Sequence, residues 1–428
     1  MRNITGLSDT EKGNIALQDA SFSDILDKQD DPDVVSNVIL TKSGFLFALM
    51  KGAVGADKFD EFIHKFIEEK RFQSYSIDLL NEQLKTSFSM DLNQYLPGWY
   101  NSKSLPGYII TKINTVKLKK DDQIKTMVSF VVTNTENDPG AVSVSFRMGG
   151  GGRGSFRMRG GGAEDNVERT ILINGKVSKK ITYIFNREPR SMTVNTYASH
   201  NIPSSISQQF GKIEIDEKLQ ATDSEEVIAY TEGIEPNEII LDNEDPGFRI
   251  SRPKSNSLIQ QLFNPSGEVS QSGGSVRKTV MRSLKTKKEL KYKGMVFWNP
   301  PVEWTLSTNE QFYGKQIRSA YYLKGGTGDR KATWNVAIKV PGYYKVSAYI
   351  PKIRSGWGRE EKTDEEYNFT VSHDDGQDHQ IVNMNDSDGG WMEIGSYHLS
   401  PDTVRIELSN LSKAKTIYAD AVKLVKEK

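Results

Sequence analysis

At 428 residues the chain is long enough for two to four domains, each with its own core. Lys+Arg and Asp+Glu both total 56, and this zero net charge excludes the one-signed field of a nucleic-acid or anionic-membrane binder, so no nucleic-acid partner is expected. The absence of cysteine excludes disulfides, thiolate nucleophiles and thiolate zinc sites, leaving His64, His200, His373, His379 and His398 as the available imidazoles.

Residues 1–38 are polar and without sustained periodicity, and read as a frayed lead-in. They lack the basic, apolar and small-residue regions of a signal peptide, and no window approaches the roughly 18–20 apolar residues of a membrane span. From Lys42 the pattern turns helical. Phe45, Leu46, Leu49 and Met50 recur at the spacing of one buried helix face, and Phe59, Phe62, Ile63, Phe66 and Ile67 form a second stripe behind an Asp57 cap. Ser76 and Asp78 start a third helix, and a fourth is stopped at Pro97. A small helical subdomain over 39–106 follows.

After Leu105-Pro106 the texture becomes β. The runs YIITKINTVKL, KTMVSFVVTNT, AVSVSFRM, ERTILING and KKITYIF predict an immunoglobulin-like antiparallel sandwich over 107–206. A glycine-rich insertion at 149–162 interrupts it and repeats SFRM at 145–148 and 155–158. A strand pattern follows the insertion, whereas a phosphate-cradling loop needs a helix N-terminus, so it reads as a hairpin loop. Residues 207–236 read as a polar linker. A second β-sandwich is expected over 237–428, with a polar insertion at 251–293 that ends in a basic cluster from Arg277 to Lys293. The fold class is therefore mainly β and multidomain.

Two stretches carry resemblances. Lys42, Leu49, Gly55, Phe59, Asp91, Leu92, Trp99, Leu105 and Pro106 stand in an order that resembles the region after the active site of gluzincin, alanyl-aminopeptidase-like proteins, with the match covering about 38–206. EIILDNEDPGF at 238–248, the core at 312–351, GGWMEIGSYHLS and the closing IYADAVKL resemble the golvesin C-terminal-like domain, also called the xanthan-lyase carbohydrate-binding-like domain, over about 238–428. The resemblances imply a bacterial, extracytoplasmic setting: periplasm, cell surface or outside.

The chemistry of a gluzincin requires H-E-x-x-H, whose spacing puts two imidazoles and a general base on one helix face. No two histidines here stand four apart, and His64 is followed by Lys65, Phe66, Ile67 and Glu68. The oxyanion-stabilising tyrosine that the resemblance places two residues before Lys42 is replaced by Leu40. No G-x-S-x-G elbow is present. No cofactor is expected, and the chain alone reads as non-catalytic.

Smaller constellations keep two readings. His373, Asp374, Asp378 and His379 suit a divalent metal or a polar hairpin turn, the turn being favoured. Asn385, Asp386, Asp388 and Gly389 suggest calcium but lack the twelve-residue loop ending in Glu, and also read as a turn. Asp420 reads as a buried capping carboxylate. For sugar stacking the rings available are Trp298, Trp304, Trp334, Trp357, Trp391, Tyr313 and Tyr343; Trp334 and Trp391 read as core, and Trp357, Tyr313 and Trp304 are the binding candidates.

Function is thus expected to be that of a non-catalytic C-terminal region of a peptidase-like protein. Its golvesin-like part would contact a cell-surface polymer or protein, or an N-terminal peptidase domain. Two rivals stand beside it: one part of a split zinc metallopeptidase, and a carbohydrate-binding module with exposed coplanar aromatics.

Overall fold

The computed structural model describes residues 7–28, 31–120, 122–149, 166–251, 291–296, 298–353, 365–385 and 387–427. The chain divides into an N-terminal unit, residues 7–236 with 314–318, and a C-terminal unit, residues 237–313 with 319–428. The glycine-rich insertion beyond Gly149, Trp357 and the basic cluster before Lys291 lie outside the described residues.

In the N-terminal unit, helices precede a sandwich. Ser8 caps α1 (Asp9–Leu17) by a reciprocal capping box: its hydroxyl accepts from the Glu11 N–H at 3.2 Å, and the Glu11 carboxylate accepts from the Ser8 N–H at 2.7 Å. After α2 (Phe22–Lys28), Asp31 caps α3 (Pro32–Val54), whose opening proline needs no N–H partner. Then come α4 (Ala56–Glu69), α5 (Ile77–Phe88) and α6 (Leu96–Asn101). The expected lead-in therefore carries two helices and the first turns of a third. Neither short helix is specified by periodicity; Leu17 and Phe22 are instead buried against Val38, Phe45 and Leu49 of α3, and tertiary packing stabilises helices this short.

By length and composition α3 could cross a bilayer. Here its apolar stripe is used twice: Phe45, Ala48 and Leu49 join the α1–α2 core, while Leu46 and Met50 join Phe59, Phe66, Leu80 and Leu84 of α4 and α5.

The sandwich comprises β1 (Tyr108–Lys120), β2 (Gln123–Asn134), β3 (Gly140–Met148), β4 (Asn166–Ile173), β5 (Val177–Phe185), β6 (Pro189–Asn195), β7 (Ser205–Gln209) and β8 (Ser224–Ile228). One sheet runs β1-β2-β5-β8 and the other β4-β3-β6-β7, all antiparallel. It is immunoglobulin-like with β4 joined to β3 instead of β5, a departure from the constant-type arrangement. Val128, Phe130 and Ile181 of one sheet meet Val142, Val144, Phe146 and Val194 of the other. The segment read as linker holds β8, an edge strand of exposed and half-buried residues that pairs Ile228 with Ser178.

The C-terminal unit comprises β9 (Glu238–Leu241), β10 (Phe248–Ile250), β11 (Thr305–Thr308), β12 (Ser319–Leu323), β13 (Lys331–Ala337), β14 (Gly342–Ile350), β15 (Glu366–His373), β16 (Gly376–Asn383), β17 (Gly390–Leu399), β18 (Thr403–Ser409), β19 (Ile417–Ala419) and β20 (Val422–Lys426). Its sheets run β10-β13-β18-β15-β16, β17-β14-β20-β9 and β11-β12-β19. Alternation drives the packing. Along β13 and β15 every second side chain is buried, so Ala332, Trp334, Val336, Tyr367, Phe369 and Val371 share one core with Tyr344, Val346 and Ala348 of β14 and Leu424 of β20. Each such large apolar side chain contributes roughly 1.5–3 kcal/mol on burial.

Candidate binding surface

The described tryptophans of the C-terminal unit have three different fates. Trp334 is core, as expected: it packs 5.3 Å from Phe248, and its Nε1–H donates to the Asp420 carbonyl at 3.2 Å. Trp304 corrects its expectation as a binding ring. It stands next to β11 but is only 8% exposed and belongs to the same core, so neither ring face is open to a ligand.

Trp391 departs in the opposite direction, from expected core to outer face. On β17, Tyr397 and Leu399 point inward, and strict alternation would carry Trp391 inward with them. A bulge intervenes: Val346 pairs with Gly395 and Ser347 with Glu393, skipping Ile394. One extra residue flips the remainder of the strand, burying Ile394 and turning Glu393 and Trp391 outward.

There Trp391 meets Tyr349 at 5.3 Å and the binding candidate Tyr313 at 5.0 Å, with Lys423 Nζ 4.7 Å from its ring centroid. The three rings are half-buried, and the Tyr313–Trp391 and Tyr349–Trp391 planes meet at 63° and 78°. Edge-to-face packing satisfies the rings with one another and offers no flat platform. Tyr313 is held in place by its N–H, which donates to Asp420 Oδ2 at 3.0 Å. Asp420 itself is 1% exposed in the turn between β19 and β20.

The four metal candidates diverge. His373 and Gly376 pair across a two-residue turn, Asp374-Asp375, one residue earlier than an Asp-Gly centre would give. Asp374 accepts from the Ser400 hydroxyl at 2.7 Å and lies 3.1 Å from His398 Nδ1; the Ser400 bonds, foremost, hold its carboxyl below the usual range. His379 Nδ1 bonds Thr370 Oγ1 at 2.9 Å. His373 Nε2 is 3.6 Å from Asp378, but its Nδ1 accepts from the Asp375 N–H, whereas a metal-bound imidazole donates from its second nitrogen. Among the described residues no group of three or more His, Asp or Glu is placed to hold a metal. In the calcium-like segment, Asn385 Oδ1 accepts from the Glu365 N–H, and Gly389 and Gly390 take the positive φ values, +83° and +100°, of a turn.

The candidate surface is the loop before β11. Trp298 is 65% exposed, and Lys415 Nζ lies 5.7 Å from its ring centroid. Val296 and Val302 flank it, exposed as well. The Lys324 N–H donates to the Pro301 carbonyl at 2.8 Å and ties the loop to the end of β12. Trp298 stood in the sequence among the stacking candidates, but without periodicity around it nothing singled it out. Tyr343 is a second exposed ring, at 60%, 5.3 Å from the His398 imidazole.

Residues 298–426 match the Golvesin C-terminal domain. The matched segment starts at Trp298 and contains β11–β20, while β9 and β10 outside it pair with β20 and β13 inside it. No curated protein matches the chain. Among solved structures the chain is similar to the Paenibacillus xanthan lyase at 15% identity and TM-score 0.28, covering 76% of this chain and 26% of that one. It is also similar to the exo-β-1,3-galactanase of Phanerochaete chrysosporium, at 8% identity and TM-score 0.24 over 73% of this chain and 68% of that one. A third is β-glucuronidase 2 of Bacteroides uniformis, at 8% identity and TM-score 0.21 over 79% and 32%. The chain thus spans about a quarter of the length of the xanthan lyase.

Proposed function

We propose that the chain is a non-catalytic binding and positioning module whose C-terminal unit holds a saccharide polymer at the cell surface. Trp298 is the observation that carries this reading. A tryptophan 65% exposed leaves its hydrophobic surface in water unless a partner covers it, and a flat indole is the group on which the C–H face of a sugar ring packs. The match of residues 298–426 to the Golvesin C-terminal domain supports a carbohydrate-binding-like module, and an extracytoplasmic setting accords with it. The absence of H-E-x-x-H from the sequence supports a non-catalytic role, and His64 and Leu40 both stand exposed on separate helices. The test is retention of the purified chain on immobilised cell-envelope polysaccharide. Retention that falls in W298A supports the reading, and a flow-through identical to that of an unrelated protein ends it.

In the N-terminal unit, the proposed role is that of a scaffold for a peptidase-like catalytic part. Residues carrying the aminopeptidase-like resemblance pack on one another: Leu49 and Leu105 share a core, and the Trp99 Nε1–H donates to the Lys42 carbonyl. An immunoblot of source cells against the C-terminal unit tests this. A band far above the mass of this chain favours a larger peptidase-like polypeptide; a band at that mass leaves only a two-chain complex, to be sought by co-purification of peptidase activity.

A further inference from the structure

We propose that the solvent-facing strip of α3 is a self-association surface, on which a second copy of this chain packs its own α3 in the antiparallel sense.

The strip is distinguished by what it lacks. From Val34 to Met50 the only charged residue is Lys42, which is 2% exposed, although charged residues make up 26% of the chain. On the outer side Leu40 is 56% exposed and Phe47 is 44% exposed, seven residues apart and so on one face of the helix. An exposed apolar strip depleted of charge has the composition of an interface core.

Its pattern also fits its own reverse. Asp33 and Lys51 stand 18 residues apart, five helical turns, so they lie on this same strip, one near each end. In a two-fold pair every contact occurs twice with the roles exchanged. Two such helices set antiparallel about the position of Lys42 bring Asp33 of each copy to Lys51 of the other. The same alignment sets Phe47 against Ser36 and Asn37, and Leu40 over Ser43 and Gly44, so large side chains meet small ones. Lys51 Nζ holds Asp60 at 3.0 Å, and an ammonium has three donors, so a second carboxylate can join it. The Ser43 hydroxyl donates to the Ile39 carbonyl at 2.7 Å, so covering it strands no donor.

Gly44 is an independent sign. The nearest atom that a Cβ there would meet is Tyr197 Cδ1 at 3.7 Å, an ordinary contact, so packing within the chain does not require glycine at this position. Glycine inside a helix is less stable than alanine and suits a place where another backbone approaches closely.

The test is sedimentation velocity of the full chain from about 1 to 200 µM. A reversible dimer is expected in the upper part of that range, because a strip one helix long is small for an interface. L40D/F47D is expected to be monomeric throughout. D33K sets lysine against Lys51 twice and should weaken the dimer about tenfold or more, and D33K/K51D should restore it. A monomer at every concentration overturns the proposal, as does a dimer that survives L40D/F47D. Failure of the double exchange to recover what D33K loses overturns the antiparallel arrangement. A chain that stays monomeric and floats with phosphatidylcholine vesicles, unless L40D/F47D is present, assigns the strip to lipid instead. Thermal unfolding of L40D/F47D, unchanged from wild type, shows that a lost dimer is not a lost fold.

Discussion

The Trp99 Nε1–H donates to the Lys42 carbonyl at 2.7 Å, fastening α6 to the middle of α3 across 57 residues of sequence. The same indole packs edge-on to Phe22 of α2 at 5.0 Å, so one side chain ties three helices together. Replacing it with phenylalanine keeps a ring and removes the donor. We expect W99F to lower the stability of the N-terminal unit by about 1–2 kcal/mol. Urea unfolding followed by far-UV circular dichroism reads this directly, and an unchanged midpoint would show that the indole donor contributes nothing.

Lys42 itself is 2% exposed, and desolvation lowers its ammonium from 10.5 to about 8, with Asp138 the opposing charge. Its folded pKa therefore lies below its unfolded one. The cost of burying the charge is fully present below about pH 8 and is relieved as pH rises toward 10.5. K42M should stabilise the protein at pH 7 by about 1–3 kcal/mol, the upper end set by the size of the shift and the lower by leaving Asp138 without its counter-charge. The gain should shrink toward zero near pH 10.5. A gain that stays constant across pH 7–10.5 would mean that packing, not charge, is responsible.

Burial separates two tryptophans only six residues apart. W304A opens a core position and should cost about 3–5 kcal/mol, whereas W298A, on the surface, should change stability by no more than about 0.5 kcal/mol. Parallel thermal melts of the two variants decide this; similar losses would mean that the loop ring is structural and would remove it as a binding surface.

Asp420 links Tyr313 to the β19–β20 turn through its carboxylate and Trp334 through its carbonyl. D420A strands the Tyr313 N–H and should cost about 1–3 kcal/mol. D420N retains an acceptor oxygen and should lose less. If the two variants unfold alike, the negative charge and not the hydrogen bond is what the fold needs.

The β architecture was legible because burial follows alternation: KATWNVA and EEYNFTVS announce β13 and β15 by placing every second side chain inward. The helices from Phe45 onward were legible by the same logic at helical period. What escaped was structure held by partners remote in sequence. The α1 helix is anchored by Asn14, whose side-chain amide donates to the Tyr197 carbonyl 183 residues away, although Ser8 and Glu11 had already spelled its capping box. The β8 strand is polar because it lies at a sheet edge, so it lacked an apolar signature. Trp391 was misplaced because a bulge is a one-residue event that strand composition does not report. For the surface, the sequence supplied the right kind of ring without its neighbours: nothing local connects Trp298 with Lys415, which is brought there by the pairing of β12 with β19.

The pairing of β9 with β20 sets Glu238 opposite Val425, so the first and last strands of the C-terminal unit lie one strand spacing apart, about 4.8 Å. Between them the chain leaves that unit once more, because residues 314–318 belong to the N-terminal unit. The backbone therefore crosses between the two units at 236–237, at 313–314 and at 318–319. A body joined to its neighbour in this way cannot be detached by one cut, and what is bound by one unit is carried with the other.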